Sequence, residues 1–351
     1  MKSAGNEANS APLATNKYDS VLSPTMSGEG AEGKELRKLL REAGVGPTVI
    51  AKLESAGLLS PRGLKFIVAA TPDELVEWLS LSSYESAAKL REAAKSLVGY
   101  SGAAVDAAQL MELEERSPKL TTGVKGLDEM LGGGLKAGEL YEFAGEFGTG
   151  KTQLCHQLAV TVQLPEEKGG LSGGAVYIDT EGTFSPRRIL SMAERFGIGR
   201  KALEKVVVFR PLNTGELEGF VRNELSGYLE DGARLVVIDS VIALYRAQYR
   251  GMEWLARRQQ AINYLLDWLK RWARIYGSVA AITNQVLTHP LPSGVALKLP
   301  AGGNIIAHAS THRFLMRKAG DAWLIECLDS PRIPKGASVQ FKITEAGVED
   351  A

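Results

Sequence analysis

The stretch Gly145–Val160, "GEFGTGKTQLCHQLAV", packs three glycines, a lysine and two threonines into its first eight positions and then turns apolar. Those eight positions fit G-x-x-x-x-G-K-[ST], and the flanks suit the pattern. "ELYEFAG" (139–145) reads as a buried strand, and "TQLCHQLAVTVQL" (152–164) reads as a helix. Glycines let backbone N–H groups curl around phosphate oxygens at a helix N-terminus, where Lys151 neutralises β- and γ-phosphate charge and Thr152 offers a hydroxyl to Mg²⁺. The reading predicts a nucleoside triphosphate wrapped by Gly145, Glu146, Phe147, Gly148, Thr149, Gly150, Lys151, Thr152 and Gln153.

Outward from that loop, "AVYI" (175–178), "VVVF" (206–209), "LVVI" (235–238) and "VAAI" (279–282) are continuous apolar runs, each preceded by a helix-like stretch. Such alternation predicts an α/β fold with a mostly parallel sheet covered on both faces. "RFLM", "WLIECL" and "SVQFKI" then follow in quick succession and predict antiparallel strands added to it. In parallel sheets, ligands gather at the carboxyl ends of strands. Here those ends carry Asp239, suited to hold Mg²⁺ through water; Asp179 with Glu181 two residues on, a candidate base for the attacking water; and Asn284 with Gln285, amides able to sense a γ-phosphate. Any one of them alone would read as a turn former or helix cap. Together with the loop they point to hydrolysis.

The remaining chain bounds the setting. With 41 basic and 41 acidic side chains the net charge is zero, so nucleic-acid binding would have to come from local basic surface. Cys155 and Cys327 stand far apart without a Cys/His cluster, which argues against disulfides or zinc and for a reducing, cytoplasmic setting. No apolar run is long enough to span a bilayer, and no membrane partner is expected. Residues 1–33, rich in Ser, Ala, Gly, Asn and Pro, read as a disordered tail. Residues 34–99 read as a small helical domain, 100–118 as a linker, and 119–351 as the ATPase core.

"GEFGTGKTQLCHQLAV", "LPEEKGGLSGGAVYIDTEGTF", "LVVIDS", "ITNQV", "GGNIIAHAST" and "DSPRIPKG" together resemble the archaeal RadA recombinases of the RecA superfamily, over a span from about Lys34 to the C-terminus. The resemblance implies a RecA-type ATPase core behind a helix-hairpin-helix domain, and ATP-dependent pairing and exchange of single-stranded with double-stranded DNA by a homo-oligomeric filament. It implies Lys151, Glu181 and Gln285 as the catalytic set, with Thr152 and Asp239 at Mg²⁺. It places Arg188 on adenine, and Asp329 and Pro331 in a cap laid over a neighbour's ATP. It also implies two DNA segments. The first, 240–260, carries Arg246, Arg250, Arg257 and Arg258; the second, 286–303, is a flexible loop carrying His289, Lys298, Gly302 and Gly303. "AGVGPTVIAKLESAG" (43–57) resembles one hairpin, its turn amides facing phosphate, or else Gly46-Pro47 simply separates two helices. A second hairpin near "LSLSSYESA" lacks a glycine at Ser80 and Ser82.

Two departures keep a second reading open. The family's F-x-x-A assembly motif lands on Ala104 and Ala107, and Tyr100-Ser-Gly-Ala103 is its nearest imitation. Met252 stands where the first DNA segment normally has an arginine. A paralogue that binds ATP and DNA and assists another recombinase, without forming filaments, is therefore the alternative; a replicative helicase is a weaker third.

Overall fold

The computed structural model describes residues 29–100, 104–251, 253–290 and 296–351. Most of the expected tail, Ala103, Met252 and the 291–295 tip of the second DNA segment lie outside the described residues. The chain divides into two units, 1–104 and 105–351.

In the first unit, helices Glu29–Glu42, Pro47–Ser55, Pro61–Ala69, Pro72–Leu79 and Tyr84–Leu97 surround Leu36, Leu40, Leu53, Leu64, Ile67, Leu75 and Leu90. The first helix opens five residues ahead of Lys34. Proline at the first helical position starts three of them, and the hydroxyls of Ser60, Thr71 and Ser83 cap starts, with a reciprocal Thr71–Glu74 box. Gly44 turns the chain between the first two helices at φ 79°. At the turn lacking a glycine, Ser80 itself takes the left-handed conformation, φ 49°.

The second unit opens with helix Ala107–Arg116, capped by the Asp106 carboxylate on the Gln109 amide. This helix occupies most of the stretch read as linker. A short antiparallel pair, β1 (Lys119–Leu120) and β2 (Leu135–Lys136), precedes the main sheet. The main sheet is built from β3 (Leu140–Gly145), β4 (Gly174–Asp179), β5 (Val206–Phe209), β6 (Ala233–Asp239), β7 (Val279–Pro290), β9 (His312–Ala319), β10 (Ala322–Asp329), β11 (Ser338–Thr344) and β12 (Gly347–Asp350). Their order is β12-β11-β10-β9-β3-β7-β6-β4-β5. The run from β9 to β5 is parallel and the run from β9 to β12 antiparallel, as the alternation and then the crowding of apolar segments predicted.

One expectation is corrected. The second DNA segment, read as a flexible loop, is largely a ladder: β8 (Ala296–Pro300) pairs antiparallel with the extension of β7 from Val286 to Pro290. Leu297 and Leu299 alternate with Lys298 in β8, and the β-branched Val286 and Thr288 suit the extension of β7 to an extended strand.

Apolar side chains cover both sheet faces. Tyr141, Phe143, Leu154, Leu158, Tyr177, Phe314 and Phe341 are fully buried, and Trp268 and Trp272 of helix Leu255–Tyr276 are buried too. Register levels the strand ends: Gly145 stands beside Gln285, and Asp179 beside Asp239. The polar residues of β4, β6 and β7 and the glycine that ends β3 therefore share one edge of the sheet.

Candidate nucleotide site

The loop leaving β3 is shaped by its glycines. Gly148 and Gly150 hold φ of 77° and 92°, which side chains rarely adopt. A Cβ on Gly145 would lie 2.5 Å from the Met316 carbonyl and the Thr149 hydroxyl, and one on Gly150 would lie 2.8 Å from Ile343. The loop therefore closes tightly and aims helix Lys151–Thr161 at the space in front of it. That space is a cavity of about 570 Å³ lined by loop residues with Thr152, Gln153, Glu181, Thr183, Asp239, Gln285, Val286 and Ile343. Its size and cradle fit a nucleoside triphosphate.

Lys151 Nζ donates to the carbonyls of Gly145 (2.9 Å) and Glu146 (2.7 Å), curled over its own loop. Burial pushes its ammonium below the usual value, against the opposing pull of Asp239 and Glu181. An arriving phosphate would supply the charge this lysine lacks. Thr152 Oγ1 donates to Asp239 Oδ2 at 2.8 Å, so hydroxyl and carboxylate already share the place where a cation would sit. Asp239 is buried and is oriented by the hydroxyls of Tyr177 (2.7 Å) and Thr283. Burial raises the Tyr177 phenol, keeping it a donor. Among the described residues no cluster of three His, Cys, Asp or Glu could hold a metal. One hydroxyl and one carboxylate suit Mg²⁺, which keeps waters and phosphate oxygens for its remaining positions.

Glu181 is exposed at the cavity mouth and accepts from Ser240 Oγ and from Gln285 Nε2 at 3.2 Å. Gln285 Oε1 in turn accepts from Arg246 Nη1 at 2.7 Å. The other two strand-end candidates point elsewhere. Asp179 is buried, accepting the amides of Thr183 and Phe184 and pairing with Arg210 at 2.9 Å, so it shapes the turn that carries Glu181. Asn284 is fully buried, donating to Glu142 and the Ala301 carbonyl, both at 2.7 Å. Strand alternation sends neighbouring side chains to opposite faces, so only Gln285 of that pair reaches the cavity.

Arg188 stands beside the cavity, on Gln153. Its guanidinium donates to Gln153 Oε1 and to the carbonyls of Thr344 and Glu345, so it also braces the final hairpin. Asp329 and Pro331 are exposed beyond the far end of the sheet. Asp329 pairs with Arg313 at the start of β9, whereas the phosphate loop follows the other end of β3. These two residues cannot serve their own chain's cavity.

The basic residues divide. Lys298 on β8 is tied to Glu146 of the phosphate loop at 2.8 Å. Arg250 donates to the Ala247 carbonyl, and Arg257 lies over the exposed Trp254 ring at 5.6 Å. Arg258 is half-buried on the same helix. His289 belongs to β7, and Gly302 and Gly303 start helix Gly303–Ala309 with φ of 87° and 58°. Of the assembly candidates, Tyr100 is half-buried with its amide on the Lys95 carbonyl, Ala104 is exposed, and Ala107 opens a helix.

Sequence reasoning did not single out Ser240, Thr283 or Ile343. Ser240 and Thr283 adjoin residues that were chosen, and a search of both neighbours at each strand end would have found them. Ile343 comes from β11, nearly two hundred residues from the loop, and nothing local marks it.

A comparison with known families matches the one described as Rad51 to residues 115–351. The chain is similar to the DNA repair and recombination protein RadA of Aeropyrum pernix, 38% identical over 326 residues, which cover 92% of this chain and 99% of that protein.

Proposed function

The chain belongs to the Rad51 family, and from that premise we propose that it is a DNA-dependent ATPase of homologous recombination and repair. In this reading it binds single-stranded DNA and promotes pairing and strand exchange with double-stranded DNA as an ATP-bound filament. The observation that carries the reading is the bridge Glu181–Gln285–Arg246, which ties a strand-end acid at the cavity to a cation of the first DNA segment. ATP would occupy the cavity, Lys151 would exchange two loop carbonyls for phosphate oxygens, and Thr152 and Asp239 would hold Mg²⁺, which supplies charge neutralisation to the phosphates. Glu181, exposed and oriented by Ser240 and Gln285, would position the attacking water.

Asp329 and Pro331 would act on the nucleotide of an adjacent copy, because the sheet separates them from their own cavity. No helix among the described residues is long and apolar enough to cross a membrane.

The second reading, an accessory paralogue that binds ATP and DNA and assists a separate recombinase, is favoured by the assembly segment. Ala107 opens a helix instead of a free strand, and Ala104 offers no large side chain to a neighbour's pocket. Negative-stain microscopy with ATP, with and without single-stranded DNA, decides between them. Long helical filaments support the first reading; closed or monomeric particles under both conditions reject it.

A further inference from the structure

At the sheet end opposite the phosphate loop, a buried polar cluster holds the exposed turn that follows β10. His312 begins β9, is fully buried, and stacks on Tyr141 with ring centroids 4.7 Å apart. Its Nδ1 lies 2.8 Å from Ser330 Oγ and its Nε2 lies 2.9 Å from Glu139 Oε2. Ser330 Oγ also accepts the backbone amides of Arg332 (3.1 Å) and Ile333 (3.0 Å). One hydroxyl thus ties the imidazole to both amides of the turn. Nε2 also lies 2.9 Å from Arg332 Nη2, so the ring is held between Ser330 on one side and Glu139 with Arg332 on the other.

Glu139 is fixed from other sides. Tyr141 donates its hydroxyl at 2.9 Å, and Arg332 makes a two-pronged pair at 2.7 and 2.6 Å. Burial would raise the Glu139 carboxyl, but hydrogen bonds from Arg332, His312 and Tyr141 outweigh it and hold it well below the usual carboxylate range. The backbone amide of Lys136 donates to Tyr141 in turn. A chain of bonds thus runs from β2 and β3 through His312 into one turn hydroxyl, and that turn presents exposed Asp329 and Pro331 where its own nucleotide cavity gains nothing from them.

We propose that His312 is a positioning residue that clamps the Asp329-Ser330-Pro331 turn through the Ser330 hydroxyl, and so sets the surface that this chain offers to the nucleotide of a second copy. The choice of target rests on the filament reading above; the clamp itself rests on the geometry.

The test uses the full chain with Ser330→Ala, His312→Ala and His312→Asn. Three quantities are read: hydrogen exchange at the Arg332 and Ile333 amides, ATP-dependent association by sedimentation velocity, and ATP affinity of dilute protomers. Ser330→Ala and His312→Ala should speed exchange at both amides by about tenfold and weaken association by a similar factor, with protomer ATP affinity within about twofold. His312→Asn keeps a side chain that can hydrogen-bond the Ser330 hydroxyl and should restore much of both. Unchanged exchange in Ser330→Ala overturns the clamp. Faster exchange with full association overturns its role at the second copy. If His312→Ala does not fold, Ser330→Ala, in an exposed turn, decides alone. If the wild-type chain shows no ATP-dependent association, the filament reading fails and its nucleotide target with it, while amide exchange still accepts or rejects the clamp.

Discussion

The Gln285 amide donates to the Glu181 carboxylate at 3.2 Å, joining the carboxyl end of β7 to the loop that follows β4. Because the same amide accepts from Arg246, a shift of that arginine toward a DNA phosphate would alter the hold on Glu181. Gln285→Ala should therefore lower the ratio of DNA-stimulated to basal ATP hydrolysis by about tenfold. Steady-state hydrolysis with and without single-stranded DNA measures it, and an unchanged ratio would show that coupling runs elsewhere.

Lys151 and Glu181 should fail in different ways. Lys151→Ala removes the cation of the cradle and should weaken ATP binding by about a hundredfold or more. Glu181→Gln keeps the cradle and should lower kcat by about a hundredfold to ten-thousandfold with ATP affinity within a few fold. Equilibrium nucleotide binding beside single-turnover hydrolysis separates the two, and near-normal turnover in Glu181→Gln would sink the base assignment.

The ion pair Lys298–Glu146 joins the second DNA segment to the phosphate loop, and both side chains are about half exposed. Exposed pairs are weak and screened by salt, so a DNA phosphate can compete for this lysine. Glu146→Gln should tighten single-stranded DNA binding about two- to fivefold at low salt, a gain that vanishes at high salt. Fluorescence anisotropy across a salt series reads it; equal affinities at low salt would count against Lys298 as a DNA contact.

Glu139 should shape the acid limb of stability. Its carboxyl is depressed in the fold, so its contribution is fully present above the unfolded value near ~4.3 and is lost as pH falls below that toward the folded one. Glu139→Gln, which strands Arg332, should cost about 2–4 kcal/mol at neutral pH and less as pH drops from about 5 to about 3. Urea unfolding of both proteins across that range tests the convergence. A gap independent of pH would mean that the carboxylate charge is not what the site uses.

Assembly can be pushed upward as well as down. Ala104 is exposed just ahead of the helix that Ala107 opens, so a larger side chain there would not disturb the fold of its own chain. Ala104→Phe should strengthen ATP-dependent association by about a hundredfold or more, the scale of one buried phenyl ring. Unchanged sedimentation would move the anchor to Tyr100, where Tyr100→Ala should then dissolve oligomers.

Much of the molecule was legible in the chain alone because its signals are local. Backbone amides can cradle phosphate only where glycines sit at fixed spacing before a helix, so Gly145–Thr152 declares its role within eight residues. Apolar runs of four predicted the parallel sheet, and the acids and amides just beyond three of them predicted the edge where Asp239, Glu181 and Gln285 meet. The tertiary structure decided which of those polar ends face the cavity. Asn284 and Gln285 are neighbours with the same amide, and only the pleat of β7 separates a buried brace from a cavity residue. Arg188 was drawn to the carbonyls of Thr344 and Glu345, over a hundred and fifty residues away, and the pairing of Val286–Pro290 with Ala296–Pro300 made a hairpin of an expected loop. His312, Ser330 and Glu139 carry no motif at all: they meet because β9 lies beside β3 and β10 folds back along β9. Sequence spacing controls what a short segment of backbone can do, whereas hydrogen-bond partners remote in sequence are chosen only when strand register brings them within reach.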